Sequence, residues 1–290
     1  MVIAFPMQKL QDWFTQQWVI IWGRRIDPDE VPWLVGPFGS IGGIGEAFID
    51  QLAEKEGLIV ERNGASRGLI PSICQLNLSE SDVSTLPPDV IDFYENTANY
   101  DLAFSVKWNP IFRVLGTLVN KLFSNRINQL NIPTRDLDEG ESLKSEIITL
   151  VEPDTNQIKH TIWFRTIQSS GQVIYSGVYG TCKLPSGETC VKAVFPLPKG
   201  NATVLMAPGV GSNGELVLES SGRKFGDHGF YFLLEDSKGE FWAQFIKTFR
   251  DRLTIREEGG LIVAEQALTL WNRRVLTFKY RISPKNSLKL

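Results

Sequence analysis

Hydrophobic and polar residues follow two rhythms along the chain, and the change falls near residue 132. Before it the rhythm is helical. Leu10, Trp13, Phe14, Trp18, Ile21 and Trp22 recur at three- and four-residue spacing, and Gly23 offers a stop. A second helix is expected over residues 46–55, closed by Gly57. A third starts at Pro87-Pro88-Asp89, where proline suits the first helical position and an acid suits the positive end of the helix dipole. A fourth carries an apolar stripe of Ile111, Phe112, Leu115, Leu118, Val119, Leu122 and Phe123, and Pro133 ends any continuation.

Beyond that point the rhythm shortens to alternation. Apolar or alternating runs lie near 143–152, 158–168, 172–183, 188–195, 201–206, 214–220, 228–235, 240–247, 250–257, 261–270 and 274–282. Turn chemistry separates them, as in Pro185-Ser186-Gly187, Ser212-Asn213-Gly214 and Glu258-Gly259-Gly260. Connections this short imply an antiparallel meander, because parallel strands need crossovers of about a dozen residues or more. A long meander removes its exposed edges by curling and closing. The expected fold is α+β and mostly β: a calycin-like barrel or curled sheet with N-terminal helices packed against it. Residues 1–132 form the helical or irregular part, 133–283 the barrel, and 284–290 a disordered tail.

Composition narrows the function. The 290 residues are 42% hydrophobic and 22% charged, with a formal net charge of −3 and no lysine or arginine block, so nucleic acid is not an expected partner. Three cysteines cannot build a disulfide scaffold, and the N-terminus lacks the pattern of a secretory signal. No apolar stretch reaches the ~20 residues that span a bilayer. The expected location is cytoplasmic, with the inner face of the membrane as the alternative, since the aromatic residues of 7–25 followed by Arg24-Arg25 suit an interfacial helix.

Gly39, Gly43 and Gly45 have the spacing of a phosphate-binding turn before a helix, and the stretch resembles the opening of short-chain dehydrogenases. That resemblance implies an NAD(P)-dependent oxidoreductase. Pro32 and Pro37 flank the strand it needs, no Tyr-x-x-x-Lys follows, and the β-α alternation stops after one turn. The turn is read as a close-packed loop, and neither a cofactor nor a metal is expected.

The remaining candidates are side chains for an apolar pocket. Tyr94 and Trp108 belong to an aromatic-rich block, and Trp163, Arg165, Tyr175, Tyr179, Arg250 and Tyr280 lie on strands. Aromatic walls with a few polar groups suit a small molecule, and an inward arginine would orient a carbonyl or carboxylate. Such an arginine persists in a core only with a carboxylate partner or a ligand. Asp101, Asp227 and Asp251 are the available acids, and Asp227 with His228 is chosen for any proton transfer. Cys182 and Cys190 flank a three-residue hairpin loop that sets them opposite each other.

Phe93-Tyr94-Glu95-x-Thr97, Trp108-x-Pro110-x-Phe112-Arg113 and the closing run Leu270-Trp271 with Leu276-x-Phe278-x-Tyr280-Arg281-Ile282 resemble a group of uncharacterised bacterial proteins. Residues 112–133 and the same closing run also resemble a bacterial domain of unknown function found behind some dehydrogenase domains. The resemblance implies a β-rich bacterial domain and brings no activity. The functional expectation is a barrel holding a hydrophobic small molecule, as a carrier or as a cofactor-independent cyclase or isomerase. The alternative is a peripheral membrane or partner-binding protein without catalysis.

Overall fold

The computed structural model describes residues 4, 10–40, 44–62, 64, 67–119, 133 and 137–285. Five α-helices and fourteen strands occupy them: α1 (Leu10–Trp22), β1 (Arg24–Ile26), α2 (Ala47–Glu56), β2 (Ile59–Arg62), α3 (Glu80–Thr85), α4 (Pro88–Glu95), β3 (Tyr100–Trp108) and α5 (Pro110–Val119) come first. The strands β4 (Leu137–Val151), β5 (Ile158–Ile167), β6 (Val173–Lys183), β7 (Thr189–Leu197), β8 (Gly200–Val210), β9 (Leu216–Glu219), β10 (Gly229–Glu235), β11 (Phe241–Phe245), β12 (Phe249–Glu258), β13 (Leu261–Leu270) and β14 (Arg273–Pro284) follow.

Ten of these strands close an antiparallel barrel in the order β3-β4-β5-β6-β7-β8-β9-β12-β13-β14 and back to β3. The expected mostly β architecture with packed helices is therefore present. Closure depends on β8, whose length lets it serve two partners. Residues 200–205 pair with β10, and residues 207–210 pair with β9, which carries the wall on to β12. The β10–β11 hairpin therefore leaves the wall and is extended by β1 into a side sheet. The barrel takes one stave, β3, from the first 132 residues, so that part supplies sheet as well as helix.

Alternation decides what fills the interior. Every second residue of β3 is buried, from Tyr100 through Leu102, Phe104 and Val106 to Trp108. Leu276, Phe278, Tyr280 and Ile282 of β14 do the same. A plug closes one end of this core: Leu69, Ile70, Ile73, Leu76 and the α4 residues Val90, Phe93 and Tyr94 pack into the same cluster. The plug depends on close backbone contact. Leu69 and Ile70 donate to the Tyr94 carbonyl, and a Cβ on Gly68 would lie 2.2 Å from that oxygen.

The outer faces are covered separately. α2 lies over Ile148, Leu150, Ile162 and Phe164, and its end is fixed by Gly57 at φ 67°. Residues 31–38 cover one side of the side sheet, where Trp33 and Leu34 meet Tyr231 and Leu233. On the other side, Val19 and Ile20 of α1 pack on Leu234. The opposite face of α1 leaves Phe14, Trp18, Ile21 and Trp22 exposed, at 60, 41, 65 and 72%.

The glycine-rich turn is not flanked by parallel strands. Residues 33–35 are turn and coil, β2 pairs antiparallel with β4, and Gly39 makes a lone bridge to Pro198. Gly43 lies outside the described residues, as do positions 120–132 of the expected fourth helix, residues 5–9 of the N-terminal stretch and 286–290 of the tail.

The β6–β7 hairpin has the expected loop. Leu184 donates to the Glu188 carbonyl, Gly187 has φ 88°, and Cys182 pairs directly with Cys190. Burial pushes the Cys182 thiol up to about 11 and the Cys190 thiol higher still, so both stay protonated at neutral pH.

Candidate functional site

Residue parity on each stave selects which side chains face inward. On β5, His160, Ile162 and Phe164 face outward, and His160 Nε2 meets Glu56 Oε2 at 2.8 Å. Trp163 and Arg165 therefore point into the barrel, as do Tyr175 and Tyr179 on β6 and Tyr280 on β14. On β12 the inward set is Asp251, Leu253 and Ile255, joined by Ala264 and Gln266 of β13. These residues enclose a cavity of about 100 Å³, whose apolar wall continues through Val191, Ala193, Phe195, Val204 and Met206. Tyr94, Phe93, Leu69 and Ile70 of the plug close it at one end. Each water takes up about 30 Å³ in the liquid, so the space holds on the order of three.

The polar groups gather on one part of this wall. The Arg165 guanidinium lies 3.8 Å from the Trp163 ring and 4.6 Å from the Tyr175 ring. Its Nη2 donates to the Tyr179 hydroxyl at 3.1 Å, while its buried Nε has no acceptor. The Trp163 indole is fixed by donating to Ser145 Oγ at 2.8 Å. Asp251 accepts from Gln266 Nε2 at 2.7 Å through Oδ2, and its buried Oδ1 has no donor. The Tyr280 hydroxyl approaches Gln266 Oε1 at 3.4 Å. No ion pair joins Arg165 to Asp251 or to any other described acid.

Burial sets the protonation of this cluster. It pushes Asp251 up to about 7 from the ordinary 3.8, opposed only by the Gln266 hydrogen bond. It also raises Tyr94, Tyr175, Tyr179 and Tyr280, with the Arg165 charge pulling the last three partly back. The cavity thus contains one permanent cation, one carboxyl that titrates near neutrality, and phenols that stay neutral.

The structure brings Tyr94, Trp163, Arg165, Tyr175, Tyr179 and Tyr280 together, and leaves the other candidates elsewhere. Trp108 is buried on the inward face of β3 but donates to the Pro133 carbonyl at 2.8 Å and does not line the cavity. Arg250 and Arg252 are exposed, because the parity that turns Asp251 inward turns both neighbours out. Asp227 and His228 are not at the cavity either. Asp227 Oδ2 caps the backbone N–H groups of Arg223 and Lys224, and the Arg223 hydrogen bond holds the carboxyl below its ordinary value. His228 bridges Glu188 Oε2 at 3.0 Å and Ser221 Oγ at 3.4 Å, tying its loop to the β6–β7 hairpin. The acid in the cavity is Asp251, together with Gln266, which the sequence reading did not single out. The shared parity of Asp251, Leu253 and Ile255 was the signal for its position.

With this geometry in view, the comparisons with known proteins add one relative. The chain is 26% identical over 271 residues to the "Uncharacterized membrane protein YndJ" of Bacillus subtilis (strain 168). The match takes in 93% of this chain and 46% of the relative, so the chain spans about half of that protein's length. No family model and no solved structure matches. The likeness to uncharacterised bacterial proteins drawn from the aromatic motifs agrees with this relative. Among the described residues no helix is long and apolar enough to cross a membrane.

Proposed function

We propose that the barrel binds a hydrophobic small molecule in its interior, as a carrier or as a cofactor-independent cyclase or isomerase. The observation that carries this reading is an apolar cavity whose wall includes two ionisable side chains, Arg165 and Asp251, that have no ion-pair partner among the described residues and each keep one buried atom unpaired. Native interiors leave few buried polar atoms unpaired, and the exceptions call for a role. In the catalytic version Asp251 supplies the acid–base group, because its carboxyl is poised where it can both give and take a proton near pH 7. Replacing Ala193 or Ala264 by leucine fills the cavity. The parent chain is expected to bind an uncharged environment-sensitive dye with enhanced fluorescence, and Ala193→Leu and Ala264→Leu to bind it at least tenfold more weakly. Equal dye binding by parent and variants removes the cavity from the account.

A second reading concerns the outer face of α1. Phe14, Trp18, Ile21 and Trp22 form one exposed aromatic and aliphatic face, and the exposed Arg24 and Arg25 follow. That composition suits the headgroup zone of a bilayer, and the Bacillus relative is named a membrane protein. The full chain is expected to float with vesicles containing anionic lipid, and a Trp18→Ser, Ile21→Ser, Trp22→Ser variant to stay at the bottom of the gradient. Equal flotation by both contradicts this reading.

A further inference from the structure

We propose that the cavity ligand is a singly charged carboxylate on a short apolar body, held by the Arg165 guanidinium beside the Asp251 carboxyl. This rests on the reading of the barrel as a container for a small molecule and names the class it contains.

The charge follows from Arg165. Arginine does not release its proton in proteins, and a buried guanidinium without a counter-ion is unfavourable enough to need one. Aromatic faces and a tyrosine hydroxyl partner it, but no described acid does. An anion brought by the ligand fills that place. Arg165 is the sole lysine or arginine among the cavity-lining residues. One cation balances one negative charge, which favours a carboxylate over a doubly charged phosphate monoester.

The second anchor follows from Asp251. Ionised, it would repel a carboxylate in the same small cavity. Protonated, it no longer repels the ligand and carries an O–H that can donate to the second ligand oxygen. The groups facing it are Gln266 from β13, Tyr280 from β14, Tyr175 and Tyr179 from β6, Arg165 from β5, and Ser220, whose Oγ accepts from the Asp251 amide at 2.8 Å. Burial keeps the three phenols neutral, so Asp251 alone among these groups titrates near pH 7. Binding above that pH therefore takes one proton from solution onto Asp251, and no bond is broken. A cavity of roughly 150 Å³ takes benzene, so this one, at about 100 Å³, suits a short acid.

Isothermal titration of the full chain with butanoate, butanamide and butanol, from pH 5.5 to 8.5 in two buffers of different ionisation enthalpy, tests this. Butanoate is expected to bind at least tenfold more tightly than either uncharged analogue at pH 6. Its affinity should fall by close to tenfold per unit above about pH 7, with nearly one proton taken up per ligand at pH 8. Asp251→Asn carries a permanent amide donor and should lose both the proton uptake and the pH dependence. Arg165→Met should lose butanoate by about a hundredfold yet keep butanol, which shows that its cavity is still formed. Butanol or butanamide matching butanoate in the parent chain overturns the proposal, as does proton uptake that survives in Asp251→Asn. If butanol binds and butanoate does not, the ligand class falls while the container stands. If none of the three binds, both fall.

Discussion

At the scale of single residues, two buried ionisable side chains, Arg165 and Asp251, have no ion-pair partner among the described residues. Removing the Arg165 charge should leave the ligand-free barrel as stable as before or more so, because an apolar side chain avoids the desolvation of an unpaired cation. Urea unfolding of Arg165→Met checks this, and a loss of about 3 kcal/mol or more would mean that the charge is compensated inside the protein. Asp251 makes the opposite kind of prediction. In the unfolded chain it ionises near 3.8, whereas in the barrel it holds its proton until about 7. The folded state therefore binds the extra proton between those values, and stability falls as pH rises through that window. The full shift corresponds to roughly 4 kcal/mol, reached above pH 7. Asp251→Asn should flatten this part of the profile, measured as the difference between unfolding midpoints at pH 4.5 and 8. Of the six candidates that meet at the cavity, Tyr94 came from its aromatic block and the other five from their strands; alternation fixed only that Tyr175 and Tyr179 share a face, whichever way it points. Which acid joins them was not legible, since choosing Asp251 over Asp227 depends on knowing that the 222–228 loop folds back on the β6–β7 hairpin.

At the scale of elements, most strands announced themselves through period-two runs and turn residues. β1 and β2 escaped because three and four residues are too short to show a period. β3 did carry the signal, with Tyr100, Leu102, Phe104, Val106 and Trp108 in strict alternation, but its aromatic content and the adjacent Pro110 drew the reading toward a pocket block before a helix. The plug is the element most exposed to a single change. Gly68→Ala would force a methyl against the Tyr94 and Glu95 carbonyls at 2.2 and 2.3 Å. That variant is expected to melt several degrees lower and to admit the uncharged dye faster, by calorimetry and stopped-flow fluorescence. An unchanged melting point would show that the plug does not hold the barrel end. Trp18 also packs edge-on against Phe232, whereas serine at Ile21 and Trp22 is expected to shift stability by no more than about 0.5 kcal/mol, so flotation lost by that double variant reports on the vesicle surface alone.

At the scale of the whole molecule, ten staves enclose a core that is almost filled, and the remaining space coincides with the only part of the interior wall where a cation and a titrating carboxyl meet among the described residues. Closure was legible because a long meander must hide its edges. The excursion of β10 and β11 was not, since a short turn reads the same whether the next strand joins the wall or leaves it. The matched region makes up 46% of the Bacillus relative, so the likeness covers about half of that protein. The most direct test is native mass spectrometry of the full chain purified gently from its own host, beside Ala193→Leu and Ala264→Leu variants prepared in the same way. The account predicts one bound molecule per parent chain, released on activation as a small apolar ion, and variants at their bare mass. A parent chain that carries no small molecule under the same conditions, or variants that carry as much as the parent, would contradict it.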